Sequence, residues 1–133
     1  MKPSEYIARG VKLRKYQSFR SYTRSYGEAG CVTTALIDGI FGKRSMISVF
    51  TDVKLKSVIF GKLPELENRS FKCPKCSIFD ISGCGILGVL FHLNDDHKWR
   101  REEIGEWLDL QVSETGRLSE TIEVKFNLVK EEV

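Results

Sequence analysis

Long apolar runs are missing from this 133-residue sequence. A membrane-spanning helix needs about 20 consecutive, mostly apolar residues, and no stretch of the chain approaches that length. The first fifteen residues, MKPSEYIARGVKLRK, also lack the apolar centre of a secretory signal peptide. We therefore expect a cytosolic protein that has no membrane partner.

Cysteine and histidine are scarce, with four and two residues respectively. In a reducing cytosol, cysteines are expected to be metal ligands or buried thiols rather than disulfides. Cys73 and Cys76 form a C-x2-C pair, and both histidines follow it, at His92 and His97. Structural Zn²⁺ sites use four thiolate or imidazole ligands, so the spacing predicts a C2H2-type zinc knuckle. The alternative is a buried cysteine pair and two unrelated surface histidines.

The segment between the two ligand pairs predicts a helix that carries His92 near its end. Gly85 and Gly88 lie along the face of His92, where we expect them to let the knuckle backbone come close. His97 follows five residues later, and an ideal helix would turn the two histidines apart. We therefore expect the helix to distort or end near 94–96.

Four protein ligands leave no open position on zinc for water, which favours a structural ion over a catalytic one. Asp95 or Asp96 is expected to accept the second N–H of a ligand histidine. Cys84 could replace one histidine as a ligand, although packing under the helix is favoured for it. The string HLNDDH is similar to part of an HNH nuclease motif, but those folds usually need a second cysteine pair, so a metal-dependent nuclease is our third-ranked function.

Charge is unevenly distributed, although the net charge is only +3. Residues 1–26 contain seven basic groups and one acidic group, whereas 102–133 contain nine acidic and three basic groups. All four tyrosines lie in the basic segment. Aromatic rings among cations can stack on bases while the charges bind phosphates, or the rings can close a core with the charges at its rim. The predicted nucleic-acid contacts are Arg9, Lys12, Arg14, Lys15, Tyr16, Arg20, Tyr22 and Arg24.

Apolar positions at helical spacing predict a helix over 4–16 with Ser4 as its cap. A second predicted helix is opened by Cys31 and ends at Gly42. A thiol at a helix N-terminus can be reactive, but core packing is favoured for Cys31. A further helix, after the one that carries His92, is predicted over 101–110.

Residues 121–129 alternate strictly between apolar and polar, which predicts a strand. One strand must pair with another, and 46–60, whose pattern fits either a strand or a short helix, is the expected mate. Trp99 and Trp107 are expected to close the core. The prediction is one α+β domain over 1–133, comprising a basic helical segment (1–45), a zinc knuckle with two helices (70–110) and a short sheet that includes the C-terminal strand (120–130).

Several short motifs follow one another along the chain. They are Cys31 with Ala35, Pro64-Glu65-Leu66, CPKC at 73–76, HLNDDHKW at 92–99, and Arg101, Glu102, Ile104 and Trp107. This set resembles a family of small phage- and prophage-encoded zinc-knuckle proteins of unassigned function, over about residues 5–109. The chain departs from that pattern at Arg100 and Gly105, where the family tends to have a capping Ser or Thr and an Ala. The resemblance implies a viral origin and a compact zinc-stapled domain, but no activity.

We therefore expect a non-enzymatic viral accessory protein with a structural Zn²⁺, which binds a macromolecule rather than a small-molecule substrate. Nucleic acid, bound through the basic N-terminal segment, is the first candidate partner. The alternative is a protein–protein module, either an inhibitor of a host factor or a component of the virion or its assembly. The expected location is the host cytoplasm or the virion.

Overall fold

The computed structural model describes residues 1–67, 69–76 and 85–112. Within these ranges the fold is α+β, as predicted, with five helices and one small sheet. None of the helices in the described part is long and apolar enough to cross a membrane. The helices are α1 (Pro3–Leu13), α2 (Val32–Phe41), α3 (Asp52–Lys62), α4 (Gly85–Phe91) and α5 (101–112), and the strands are β1 (Tyr16–Gln17), β2 (Thr23–Arg24) and β3 (Ala29–Gly30).

Helix α2 is the centre of the core, because every residue over 32–39 is buried. The other helices contribute apolar side chains to the same cluster, among them Ile7, Leu55, Leu90 and Ile104. Trp99 and Trp107 pack against this cluster while partly buried, as predicted. The knuckle residue Cys73 belongs to the cluster as well. The C-x2-C turn and the helical core are therefore parts of one packed unit.

Two glycines set the distance between α1 and α2. A Cβ added to Gly10 would collide with the backbone of Ala35, and one added to Gly39 would collide with the backbone of Tyr6. The two helices thus touch backbone to backbone, which only glycine permits at these two positions. Gly10 destabilises α1 by about 1 kcal/mol relative to alanine, but it allows the two helices to approach this closely.

A buried ion pair joins the end of α1 to α2. The Arg14 guanidinium donates from Nε to Oδ2 of Asp38 at 2.6 Å. Its other nitrogens donate to the carbonyls of Gly27 and Ser45. Both Asp38 oxygens are used, since Oδ1 accepts the N–H and hydroxyl of Ser45. The prediction that Arg14 contacts nucleic acid is therefore wrong: the residue is only 5% exposed, and its cation is bound inside the protein.

The first helix begins two residues earlier than a Ser4 cap would place it. Lys2 is the N-cap and Pro3 is the first helical residue, a position that suits proline. The backbone N–H and the hydroxyl of Ser4 instead donate to the carboxylate of Asp109 in α5. Gly105 leaves the room for this contact, because a Cβ there would come within 3.1 Å of Ser4. The Ser4 cap was thus predicted wrongly, and Gly105 has a packing role.

The ambiguous 46–60 segment is helical in its second half. Thr51 caps α3 by accepting the N–H of Lys54 at 3.1 Å. The strand interpretation of this segment is wrong, and so is its proposed pairing with 121–129. The predicted C-terminal strand, 120–130, lies outside the described residues.

The observed sheet lies within residues 1–45, which were predicted to form a basic helical segment. Its strand order is β1-β3-β2, with β1 parallel and β2 antiparallel to the central β3. Tyr16 is paired with Ala29, and Thr23 with Gly30. The 1–45 segment is therefore two helices connected by a small sheet rather than a helical segment throughout.

Candidate metal centre

Cys73 and Cys76 lie in a tight turn that points both sulfurs to the same side. Sγ of Cys73 accepts the backbone N–H of Lys75 at 3.2 Å and that of Cys76 at 3.4 Å. Such N–H donors stabilise negative charge on sulfur, the form in which cysteine binds a metal. The C-x2-C sequence therefore folds locally into a shape that suits a thiolate ligand pair.

The two histidines are brought together by a π-helical turn. Helix α4 continues into this wider turn over His92–Asp96, and the N–H of His97 donates to the carbonyl of His92 at 3.2 Å. A bond between residues five apart places their side chains on one side of the helix, which an α-helix cannot do. The predicted distortion near 94–96 is confirmed, and it is what aligns His97 with His92.

The four predicted ligands converge on one point. The ligand atoms of Cys73, Cys76, His92 and His97 all lie within 4.8 Å of one another. Sγ of Cys76 is 3.4 Å from Nε2 of His92 and 3.1 Å from Nε2 of His97. A tetrahedral ion with bonds of about 2.0–2.3 Å separates neighbouring ligand atoms by about 3.3–3.8 Å. The distances are close to that range, so these residues could hold a metal ion.

Asp96 supplies the expected outer partner of a ligand histidine. Its Oδ2 lies 2.9 Å from Nδ1 of His92, which turns Nε2 towards the cysteines. The same carboxylate forms an ion pair with Arg20 at 3.5 Å. Asp95 has a different task, since its Oδ1 accepts the N–H of Arg20 and the side-chain amide of Asn94.

Asn94 connects the π-helical turn to the N-terminal half of the chain. Its Oδ1 accepts from the side chain of Gln17 and from the N–H of Val32, which opens α2, both at 2.9 Å. Its Nδ2 donates to the carbonyl of Ser18 at 3.0 Å. Asn94 is fully buried, so each of these bonds replaces water that the amide has lost.

Arg101 makes a second connection of this kind. Its guanidinium donates to the carbonyls of Arg14, Lys15 and Gly30, which lie at the ends of the small sheet. Burial lowers the pKa of this guanidinium from its ordinary value. Sequence reasoning missed the roles of Asn94 and Arg101, because a buried polar side chain has no periodic signature; their place inside the HLND and RE motifs was the only signal.

Three predictions about residues near the centre have different outcomes. Gly85 does not make room for the knuckle: a Cβ there meets nothing within 4 Å among the described residues, and its φ of +71° is the reason that glycine suits the position. Cys31 is buried at the start of α2, and desolvation raises the pKa of its thiol, which supports the core interpretation over a reactive one. Cys84 lies outside the described residues.

The other residues predicted to contact nucleic acid differ in their exposure to solvent. Tyr16 is 58% exposed, whereas Tyr22 is half-buried against Phe91, with ring centroids 5.7 Å apart. Burial also raises the pKa of Tyr22. The core interpretation therefore fits Tyr22, whereas Tyr16 faces solvent, and base stacking by the tyrosines stays a prediction. Of the cations predicted to contact nucleic acid, those on the protein surface are Arg9, Lys12, Lys15, Arg20 and Arg24.

Comparison with known proteins gives no match to a family model, to a curated protein or to a solved structure. The resemblance to phage zinc-knuckle proteins stays a prediction.

Proposed function

We propose that the centre binds one Zn²⁺ and that the ion is structural. Two thiols and two imidazoles form the donor set that Zn²⁺ prefers, and together they fill a tetrahedral shell. A filled shell has no position for a reactive water, so this site supports folding and not catalysis. The convergence of the four ligand atoms within 4.8 Å is the observation that carries this proposal.

Metal analysis of the purified protein tests the zinc assignment. We expect one zinc per chain, and none after His97→Ala. Cys31→Ala is the matched control, because it removes a buried sulfur that lies outside the ligand cluster. A purified wild-type protein that is folded and free of metal would contradict the proposal.

We propose further that the protein is a non-enzymatic module that binds nucleic acid. The support is a basic-aromatic segment, which we define as residues 15–26 together with Lys98. Nζ of Lys98 lies 4.7 Å from the ring centre of Phe19, and Nζ of Lys15 lies 5.5 Å from that of Tyr16. Tyr26 is fully exposed. Cations interleaved with rings bind single strands through phosphate contacts and base stacking.

The salt dependence of oligonucleotide binding tests this function. Each phosphate contact to a single strand contributes about 0.7 to the slope of log K against log salt. We expect Lys15→Gln with Arg24→Gln to weaken binding and to reduce that slope. Lys56→Gln, an exposed cation of α3, should change neither. If no oligonucleotide binds at low salt, the nucleic-acid function is wrong.

A protein partner is the second candidate function, and a different surface favours it. Four apolar side chains are exposed between the end of α2 and the first turn of α3, and the ring of one of them, Phe41, lies 6.2 Å from the ring of Phe50. Exposed apolar side chains that lie close together often mark a protein contact. Capture of a host or virion protein by the wild type but not by Val49→Asp would support this role. The four side chains are Phe41, Met46, Val49 and Val53.

The biological setting follows from the resemblance to phage proteins. We propose a viral accessory protein that acts in the host cytoplasm or in the virion. Mass spectrometry of purified particles and of infected cells distinguishes these two locations. A metal-dependent nuclease is the third candidate, and loss of DNA or RNA substrate in the presence of the protein and Mg²⁺ or Mn²⁺ would favour it over a binding module.

A further inference from the structure

A surface cavity lies beside the metal centre and opens within the basic-aromatic segment. Its volume is about 470 Å³, and it is lined by Arg20, Ser21, Tyr22, Cys31, Phe91 and Asp95. Cavities of about 300–1,000 Å³ that combine apolar walls with a few polar groups are typical ligand sites. None of these six residues is a predicted metal ligand, so the cavity is a site of its own.

Two aromatic rings line this cavity. The rings of Tyr22 and Phe91 pack at 5.7 Å with an interplanar angle of 59°, and both side chains are half-buried. The buried thiol of Cys31 adds a further apolar surface. These rings offer stacking area to a planar ligand.

Arg20 and Asp95 provide opposite charges in the same cavity. Arg20 has a φ of +63°, a left-handed conformation that is uncommon for arginine. Its N–H donates to Oδ1 of Asp95 at 2.9 Å, which holds the residue in that conformation. The guanidinium is 69% exposed while it pairs with Asp96, so it can reach an anion in solvent. Backbone strain of this kind is often retained where a side chain must be aimed at a ligand.

We propose that this cavity binds one unpaired nucleobase of a single-stranded nucleic acid. The base stacks on Tyr22 and Phe91, and Arg20 binds an adjacent phosphate. The carboxylate of Asp95 only accepts hydrogen bonds, so it selects a base with an exocyclic amino group, such as cytosine or adenine, over thymine or uracil. This inference deepens the proposed nucleic-acid function and depends on it.

Fluorescence anisotropy with dye-labelled 12-nucleotide homopolymers of DNA and RNA tests the proposal. The wild type should bind oligo(C) and oligo(A) about tenfold more tightly than oligo(T) or oligo(U). Asp95→Asn should remove that preference, because an amide both donates and accepts. The variant keeps an oxygen for the N–H of Arg20, so its zinc content and circular dichroism should match the wild type. Tyr22→Leu keeps an apolar side chain, and we expect it to weaken binding of all four homopolymers about tenfold or more.

The outcomes separate this inference from the broader function. Lys56→Gln is the control for charge and should bind like the wild type. If oligonucleotides bind with no base preference, and Tyr22→Leu binds them like the wild type, the nucleobase site is wrong while the nucleic-acid function stands. If no oligonucleotide binds at all, both proposals fail together.

Discussion

The α1–α2 pair and the π-helical turn both fix distant parts of the chain against each other, but by different means. At Gly10 and Gly39 the two helices meet without intervening side chains, so their contact depends on shape. At the π-helical turn the contacts are polar: Asn94 forms hydrogen bonds with Gln17, Ser18 and Val32, and two histidines face a cysteine pair. Shape fixes the helical core, and directional bonds fix the turn.

The basic-aromatic segment is held in place by polar contacts, as the π-helical turn is. The segment contributes little to the apolar cluster, and its strands are only two residues long. Its backbone is instead bound by Asn94 and Asp95, which lie between the two histidines in sequence, and by Arg101, which follows them. We therefore infer that a metal at the centre orders the surface that we propose to bind nucleic acid.

Loss of the proposed Zn²⁺ is expected to have the largest effect on the stability of both the α1–α2 pair and the π-helical turn. Cys76→Ala should lose the metal and the cooperative thermal transition, because structural Zn²⁺ contributes about 10–16 kcal/mol to the folding of zinc-finger peptides. Circular dichroism during heating, with metal analysis, measures this. Cys31→Ala should keep the metal and cost only about 1 kcal/mol. If α1 and α2 stay fully folded in Cys76→Ala, the two regions are independent, contrary to the shared core.

Gly39→Ala should be the next most damaging change, and it acts on the helix pair alone. The added methyl group meets the backbone of Tyr6, which cannot turn aside as a side chain would, so we expect a loss of about 3 kcal/mol. Gly61→Ala is the matched control in α3, where a Cβ meets nothing within 4 Å among the described residues. It should gain about 0.5–1 kcal/mol.

Urea unfolding followed by circular dichroism compares the two glycine variants. Metal content should be unchanged in both variants, because neither substitution touches the candidate metal centre. Equal stabilities for Gly39→Ala and Gly61→Ala would show that α1 and α2 are not held at backbone contact.

Asn94→Asp should give the smallest of the three losses, and it tests the connection between the regions. The change removes the donor to Ser18 and puts a second carboxylate beside Asp95, so we expect a loss of about 2 kcal/mol. Gln17→Ala removes one partner of Asn94 and should cost about 1 kcal/mol. Hydrogen exchange measures the effect locally: the amides of 15–30 should exchange faster in Asn94→Asp. Unchanged exchange there would mean that Asn94 does not anchor the segment.

Local features were the ones that sequence reasoning predicted well. A short helix in 46–60 was one of two explicit alternatives, and the break in helix geometry between His92 and His97 followed from counting residues against the helical repeat. Asp95 or Asp96 was expected beside a ligand histidine, and Asp96, four positions after His92, takes that place. These outcomes depend on residues within five positions of one another.

The wrong predictions concerned residues whose partners are distant in the chain. Serine is a common N-cap residue, yet Ser4 binds Asp109, which is 105 positions away. The expected sheet partner of 121–129 is a helix, since Leu55 and Ile59 pack into a core that the alternating pattern does not reveal. Propensity is a weak force that tertiary contacts override at such sites.

The sequence alone was enough to name Cys73, Cys76, His92 and His97 as candidate ligands, because a C-x2-C pair followed by two histidines is a typical zinc-binding pattern. Which cations face solvent depends instead on the tertiary structure. Lys12 and Arg14 are two positions apart and look alike in sequence, but Arg14 meets the carboxylate of Asp38 and is buried. A cation leaves water only where an opposite charge and hydrogen-bond acceptors replace it. For Arg14, those groups come from parts of the chain that only folding brings together.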